Sequence, residues 1–488
     1  MSFQFVDNST IDRRVRKVIR SHVMKGRNAG KTVPRASKVA HLSSQLREKQ
    51  WLQVRFEKED DTDEDEKILS IYNRVGHEYS AIAIASKLSR DTRKTIHQFF
   101  SVVGEAIYPH EYCNPFDRDK SRWLRYMSTD TAYFHVTLCL MSATSDFYLE
   151  QSSRSASALV HLSHTLRLIN ERLSGEGALS DMTLVLVTGL VVYSQLRGDT
   201  QTWRTHMQGL HDLIRLRGGL GNFSSDSALL QKICRAEIDF ALSEGCSTQF
   251  KLHEIPFSHQ SWKLICYPSH TSLSPLPSAF LELHPSLREI ATDTMVLANV
   301  LRTPPKGQKI DPSIFQQALI TICYHLIQLG EAIGSANESS LDSCCHLGLT
   351  AFMTTLTFQM GRRRLLRREF LAERLRILMQ RSVQHLQTSD GLLLWILCLG
   401  RIALCGNADD SWLLPLIEVE VRRLGITDWE SLLESLNQFP WINGLHGPTA
   451  KIVWDSVLER KTENPNVIGT STHQQSLDGM GYSGLVSY

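Results

Sequence analysis

Two glycine-rich stretches approach the spacing of phosphate-binding loops. Residues 26–32 read GRNAGKT, which is one residue shorter than the loop that wraps nucleotide phosphates, and no apolar strand precedes them. Residues 479–484 read GMGYSG and match the dinucleotide-binding spacing, but they too lack the preceding strand that gives those glycines their role. Neither stretch predicts a nucleotide site.

Paired histidines are the next groups that could do chemistry. His161 and His164 are three residues apart, a spacing that could place two imidazoles on one metal ion, but no H-E-x-x-H pattern follows. His206 and His211 are five apart, which fits one helical face poorly. We interpret all four as ordinary surface or core histidines.

The ten cysteines form no C-x-x-C pair, so the spacing of zinc, redox and haem sites is missing. Most lie in apolar surroundings, where a cysteine acts as a small hydrophobic residue, and we expect reduced thiols. No G-x-S-x-G nucleophile motif occurs either. The sequence predicts a protein that is not an enzyme and has no cofactor or metal site.

A basic segment near the N-terminus is the strongest chemical signal. From Ile11 to Lys58 there are 14 Lys or Arg against three acids, a net charge of +11. Such side chains can bind phosphates by releasing counterions, without reading sequence. Three interpretations stay open: contact with a partner or with the nuclear-import machinery, direct DNA contact, and a solvated face of a docked helix. The candidate contacts are Arg13, Arg14, Arg16, Lys17, Arg20, Lys25 and Arg27.

Charge also divides the chain into domains. The stretch Glu59–Glu66 carries seven acids in eight residues and predicts poorly ordered, solvated chain. We therefore predict a basic N-terminal arm (1–58), an acidic linker (59–94), a helical domain (95–460) and a disordered tail rich in small and polar residues (461–488). The composition, 42% apolar and 21% charged with a net charge of +2, is that of a globular protein.

Apolar periodicity and proline placement predict an all-α fold, a large multi-helix body of two helical layers. Eight of the 15 prolines lie between Pro256 and Pro312, which predicts an irregular, proline-rich connector (256–312) between long helical tracts. The longest apolar stretches fall short of the ~20 residues that span a membrane, so we expect a soluble protein without a membrane partner. Helices are predicted at Ile314–Ile333, Cys344–Met360, Leu365–Gln387, Gly391–Leu404, Trp412–Leu424 and Trp429–Phe439.

Three N-terminal helices are predicted in more detail. Leu159, Leu162, Leu166, Ile169 and Leu173 form one apolar stripe. The segment Met182–Tyr193 is apolar on all sides and fits a buried helix or a buried strand; we favour the helix, because no neighbouring run alternates with period two.

Trp203, Met207, Leu210 and Ile214 form a second stripe. Asp199 or Thr200 would cap the start of that helix, and Gly218-Gly219 would end it. A second basic cluster, 362–368 (RRRLLRR), is followed by Glu369 and Glu373 and predicts a salt-bridged helix surface.

Several of these segments together resemble fungal-specific transcription factor proteins. The segment 13–26 (RRVRKVIRSHVMKG) looks like that group's N-terminal RSHVM signature. Residues 203–210 (WRTHMQGL), followed by 215–220 (RLRGGL), are similar to its W-x-x-H-x-x-G-L … L-R-G-G helix. The segments 394–403 and 439–442, with Trp454, fit its closing helices. The resemblance covers about residues 3–458.

The resemblance implies a nuclear transcription regulator that contacts DNA through the basic arm or acts with other transcription regulators, and that controls a biosynthetic gene set. Many members read DNA with a six-cysteine zinc cluster, whereas this chain has no cysteine before Cys113. We therefore expect a member without that module. The alternative is a helical interaction or small-molecule-sensing protein with no direct DNA role. Target genes, effector ligand and oligomeric state are not predicted.

Overall fold

The structure is a computed structural model of the chain. It describes residues 92–93, 95–96, 99, 123, 125–148, 156–224, 228–256, 275–302, 309–336, 341–357, 368–386 and 391–463. The predicted basic arm lies outside the described residues, as do most of the acidic linker and most of the C-terminal tail. The predictions for those segments remain predictions.

The described residues confirm the all-α fold. They contain no β-strand beyond an isolated bridge residue at Ile310. None of the described helices is long and apolar enough to cross a membrane. The α-helices are α1 (Thr131–Tyr148), α2 (Ala156–Leu173), α3 (Asp181–Arg197), α4 (Thr200–Leu216), α5 (Ala228–Glu244), α6 (Ser278–Leu281), α7 (Pro285–Arg302), α8 (Pro312–Ala336), α9 (Leu341–Leu356), α10 (Glu369–Leu386), α11 (Leu392–Ala403), α12 (Asp410–Arg423), α13 (Trp429–Asn437) and α14 (Asn443–Glu463).

The helices pack as two layers that share one core. In the first layer α3 packs on α1, α2, α4 and α5, and in the second α9 and α11 are central to a group that runs from α7 to α14. Helix α5 joins the layers, because it packs on α8 and α10 as well as on α3. The buried apolar side chains of both layers form one continuous cluster.

The valine-rich segment Met182–Tyr193 is a helix, as predicted. Ser180 caps its start by accepting a hydrogen bond from the Thr183 amide, 3.2 Å away, and Gly198 ends it with a left-handed φ of 67°. Between these caps most side chains are buried, because other helices pack around α3. Burial on all sides removes the amphipathic pattern that distinguishes helix from strand in a sequence.

Helix α4 begins and ends where the sequence predicts. The Asp199 side chain accepts a hydrogen bond from the Thr202 amide at 3.1 Å. After the helix, Gly218 and Gly219 adopt φ of 100° and 90°, and the Gly219 amide donates to the Ile214 carbonyl at 2.9 Å. The stripe is buried as expected, with Trp203 6% exposed and Met207 fully covered.

The predicted stripe of α2 is on a helix, but the helix buries a different face. Leu159, Leu166 and Leu173 are each more than a third exposed, and only Ile169 of the stripe is fully buried. Ala158 and Thr165 take the buried positions instead. Helix α2 lies against α1 through these small side chains, since the Cys139 thiol of α1 reaches the Ala158 carbonyl at 3.4 Å.

The proline-rich connector is not irregular where it is described. Helices α6 and α7 lie within 256–312, and Pro285 and Pro312 are the first residues of α7 and α8. Proline suits that position because the first amide of a helix has no partner inside the helix and the fixed φ is already helical. These two prolines therefore start helices rather than separate the layers.

The second layer closes around Trp395 of α11. Its ring stacks on Phe439 with centroids 5.3 Å apart, and its indole nitrogen donates to the Pro440 carbonyl at 2.9 Å. A side chain at Gly348 of α9 would place its Cβ 2.5 Å from the same indole ring. The residues that resemble the family's closing helices thus have a packing role.

Arg368 is the one described member of the second basic cluster, and for this residue the prediction of a salt-bridged helix surface is wrong. It is 3% exposed, and its guanidinium binds the Asp239 carboxylate of α5 at 2.6 Å and the Asp239 carbonyl at 3.1 Å. The sequence suggests local partners, Glu369 and Glu373, but a buried arginine needs an acceptor inside the core. The pair therefore connects the start of α10 to α5.

Candidate ligand-binding cavity

The sequence-predicted contacts with nucleic acid or import factors all precede the described residues. Their role therefore stays a prediction. They are Arg13, Arg14, Arg16, Lys17, Arg20, Lys25 and Arg27.

His161 and His164 do meet a third histidine, His135 of α1. The Nδ1 atoms of His135 and His161 are 2.7 Å apart, and the rings of His135 and His164 stack with centroids 4.7 Å apart. One neutral imidazole donates to the other across this contact, so it serves helix packing. Burial lowers the pKa of His135 to about 4, and burial also lowers the pKa of His161.

Metal-ligating clusters and disulfides are missing from the described residues. No group of three or more His, Cys, Asp or Glu there could hold a metal ion, and the described cysteines are free thiols. Burial raises the pKa of Cys139, Cys323 and Cys398 to about 12. These thiols are therefore protonated at neutral pH, which makes them poor nucleophiles and poor metal ligands.

A cavity of about 130 Å³, here called the central cavity, lies between α1, α3, α5 and α8. It is mainly apolar, because valine and leucine side chains of α1 and α3 such as Val136, Leu140, Val185 and Val192 line it. The closeness of α1 and α3 depends on Gly189, where a Cβ would meet the Val136 side chain at 2.7 Å. The helices that form the core of the first layer thus also enclose this space.

The polar groups that line the central cavity include four threonines, one amide and three charged side chains, and two of the charged groups are hydrogen-bond donors. Gln195 is 7% exposed and its Nε2 atom is buried without a partner in the described structure. The Nε atom of Arg235 is likewise buried and unpartnered there. Lys232, one turn before Arg235 on α5, places its ammonium 4.5 Å from the centroid of the Trp123 ring. An apolar space with a few convergent polar groups is typical of a small-molecule site.

A second space, of about 530 Å³, lies between α4 and α5, and its polar groups are largely paired with each other. Arg204 bonds Glu244, and Arg215 donates to Gln249 at the edge. Deeper inside, the Glu237 carboxylate accepts the amides of Gln249 and Phe250 at 2.6 and 3.2 Å.

Tyr324 of α8 also donates to Glu237, and His211 lies 3.3 Å from the same carboxylate. Glu237 therefore fastens the turn after α5, and this arrangement is structural.

A third space, of about 620 Å³, lies between the end of α5 and helices α8, α9 and α10. Its buried polar groups include His346, whose Nε2 atom contacts the Leu326 carbonyl at 2.7 Å. This contact makes Nε2 the donor and leaves Nδ1 as an acceptor, which has no partner among the described residues. Burial lowers the pKa of His346 to about 4, so the ring is neutral.

Sequence reasoning missed the central cavity, although its helices were predicted. A signal was present in α5, where Lys232 and Arg235 lie between buried apolar residues such as Ile233 and Ala236. Charged residues one turn apart are usually a solvated helix face, and only the packing of α5 between two layers places them beside a cavity.

The comparisons with known proteins agree with the resemblance found in the sequence. Residues 96–274 match the family model described as Fungal specific transcription factor domain. The matched segment is similar to that domain, and it contains the Trp203–Leu210 motif and helices α1 to α5. The match does not extend over the segments likened to the family's closing helices. No curated protein and no solved structure matches the chain.

Proposed function

We propose that the protein is a transcription regulator that acts in the nucleus and controls a biosynthetic gene set. The family match at 96–274 supports this proposal, since the first helical layer is similar to a domain of fungal transcription factors. The same match favours a regulator over an enzyme. The basic arm would supply the contact with DNA or with partner regulators, because its net charge of +11 suits phosphates or acidic protein surfaces.

Chromatin association of the tagged full chain tests this function. We expect the protein to be recovered on chromatin, and deletion of residues 1–58 to reduce that recovery strongly. Deletion of 464–488, which lies after α14, is the matched control and should leave recovery unchanged. A cytoplasmic protein that never occupies chromatin would contradict the proposal.

The central cavity favours a second candidate function, a helical body that senses a small molecule without a direct DNA role. Its support is the pair of buried donors without partners among the described residues, Gln195 Nε2 and Arg235 Nε, beside an apolar space. Buried polar groups in native proteins are usually hydrogen-bonded, so two unpaired donors at one cavity point to a ligand. Retention of the purified chain on DNA that weakens with salt would support the first candidate over the second.

A further inference from the structure

We propose that the central cavity binds a small carboxylate with a single ring. This assignment rests on the second proposed function, ligand sensing, and it names the ligand class. The apolar walls would hold the ring, and the carboxylate would accept hydrogen bonds from the side chain of Arg235.

The unpaired polar atoms of the cavity are donors that need a hydrogen-bond acceptor. Gln195 Nε2 and Arg235 Nε are both N–H donors, and both are buried without a partner in the part of the chain that the structure describes. A buried donor without an acceptor costs free energy that a bound oxygen would recover. Neither a pure hydrocarbon nor a ligand made only of donors would satisfy them.

The charged side chains that line the cavity favour an anionic ligand. Lys232 and Arg235 are three residues apart on α5, so they share one helical face. The one carboxylate in the described lining, Asp239, is already neutralised by Arg368 at 2.6 Å. The lining therefore retains the positive charge of Arg235 in a mainly apolar environment, where a planar guanidinium binds a carboxylate with good geometry.

The volume limits the ligand to about one ring. An apolar cavity of ~150 Å³ in another protein accommodates benzene, and the central cavity measures about 130 Å³. Side chains of α1 and α3, including Val136, Leu140 and Val192, would contact the ring. A fused bicyclic acid would exceed this space.

The other two spaces are weaker candidates for a ligand site. The polar groups of the space between α4 and α5 are largely paired within the protein. The space beside α10 contains His346 Nδ1, an acceptor unpaired among the described residues, but its charged groups, Glu373 and Arg374, give it no excess of one sign.

A series of isosteric ligands tests the assignment on the purified full-length protein. Benzoate, benzamide and benzylamine share one ring and differ in charge, and calorimetry and thermal shift would measure their binding. We expect benzoate to bind one to one and to raise the melting temperature, because a ligand that binds only the folded state stabilises it. Benzamide should bind at least about tenfold more weakly, a loss of about 1.4 kcal/mol. Benzylamine and 1-naphthoate should not bind.

Two variants locate the site. Arg235→Gln should weaken benzoate at least about tenfold and change benzamide little, whereas Arg422→Gln, at an exposed arginine of α12, should leave both affinities unchanged. Val192→Phe would place a ring inside the cavity and should abolish benzoate binding while retaining helical circular dichroism. If Arg235→Gln fails to fold, the ligand series and the Val192→Phe variant still test whether the central cavity binds a carboxylate.

Equal affinity of the wild-type protein for benzoate and benzylamine would overturn the assignment, as would undiminished benzoate binding by folded Val192→Phe. Failure of the sensing function gives a different result. Benzoate would then bind as expected, but neither chromatin recovery nor partner recruitment would respond to it. An empty cavity with normal chromatin recovery would reject the ligand and leave the first proposed function standing.

Discussion

At the scale of single residues, the described interior contains ionisable groups held in one protonation state by their bonds. His446 of α14 is completely buried, and its Nδ1 atom accepts the Ile442 amide at 3.0 Å. Its Nε2 atom lies 2.9 Å from the Thr355 hydroxyl, which itself donates to the Phe352 carbonyl. Nε2 is therefore the donor, and a proton on Nδ1 would break the bond to Ile442.

This geometry predicts that the protein loses stability in mild acid. Burial lowers the pKa of His446 in the folded state from 6.5 to about 3, so the unfolded chain takes up a proton first as the pH falls. The stability is fully present above pH 6.5 and is lost as the pH falls toward 3, at about 1.4 kcal/mol per pH unit for one group. Urea unfolding between pH 7.5 and 4.5 would measure the slope.

The variant His446→Gln separates the two effects of this residue. It should be less stable than the wild type at pH 7.5, because the bonds to Ile442 and Thr355 are altered. Its stability should also depend less steeply on pH, because unfolding of the variant takes up one proton fewer. An unchanged slope would mean that His446 does not contribute to acid sensitivity.

At the scale of helices, the contact between α5 and α10 depends on a buried ion pair whose two residues are far apart in the sequence. Arg368 and Asp239 are 3% and 6% exposed at their side chains. A charge removed from water in this way is stable only with its partner, and removal of one partner leaves the other uncompensated. The pair therefore fixes where α10 begins against the helix that joins the two layers.

We expect Arg368→Met to lower the free energy of unfolding by about 3–5 kcal/mol. The double variant with Asp239→Leu should regain much of that free energy, because two apolar side chains of similar volume need no counter-charge. The matched control is Arg167→Met, which breaks the exposed pair with Glu171 and should cost less than about 1 kcal/mol. Urea denaturation of the three variants measures these differences. Equal costs for Arg368→Met and Arg167→Met would show that the buried pair does not hold the layers together.

At the scale of the whole molecule, the sequence predicts elements better than their environment. Caps and stripes are local, so the predictions for Asp199, Gly218 and the Trp203 stripe are confirmed. Those for the exposed Leu166 and the buried Arg368 are wrong, because burial depends on which helix packs against each face. The central cavity is missed for the same reason, since four helices from two layers contribute to it. Long-range packing is the information that a single sequence does not display.

The basic arm is predicted to be a separable part of the molecule. Changing Arg13, Arg14, Arg16, Lys17 and Arg20 to Ala should weaken any DNA binding equally across sequences, because interactions with phosphates carry no sequence information. The slope of log affinity against log salt should flatten by about 0.9 for each phosphate that the arm no longer neutralises. Binding to unrelated duplexes at several salt concentrations measures both effects.

The same five substitutions also distinguish DNA contact from nuclear import. If the arm serves import, the variant should stay in the cytoplasm while its melting temperature stays close to that of the wild type. Exchanging each of the five arginines and lysines for the other basic residue is the control and should preserve either role, because both depend on charge. A large fall in melting temperature with unchanged localisation and DNA binding would contradict both roles. The arm would then be a docked structural helix, whose apolar residues Ile11, Val15 and Ile19 pack on the body.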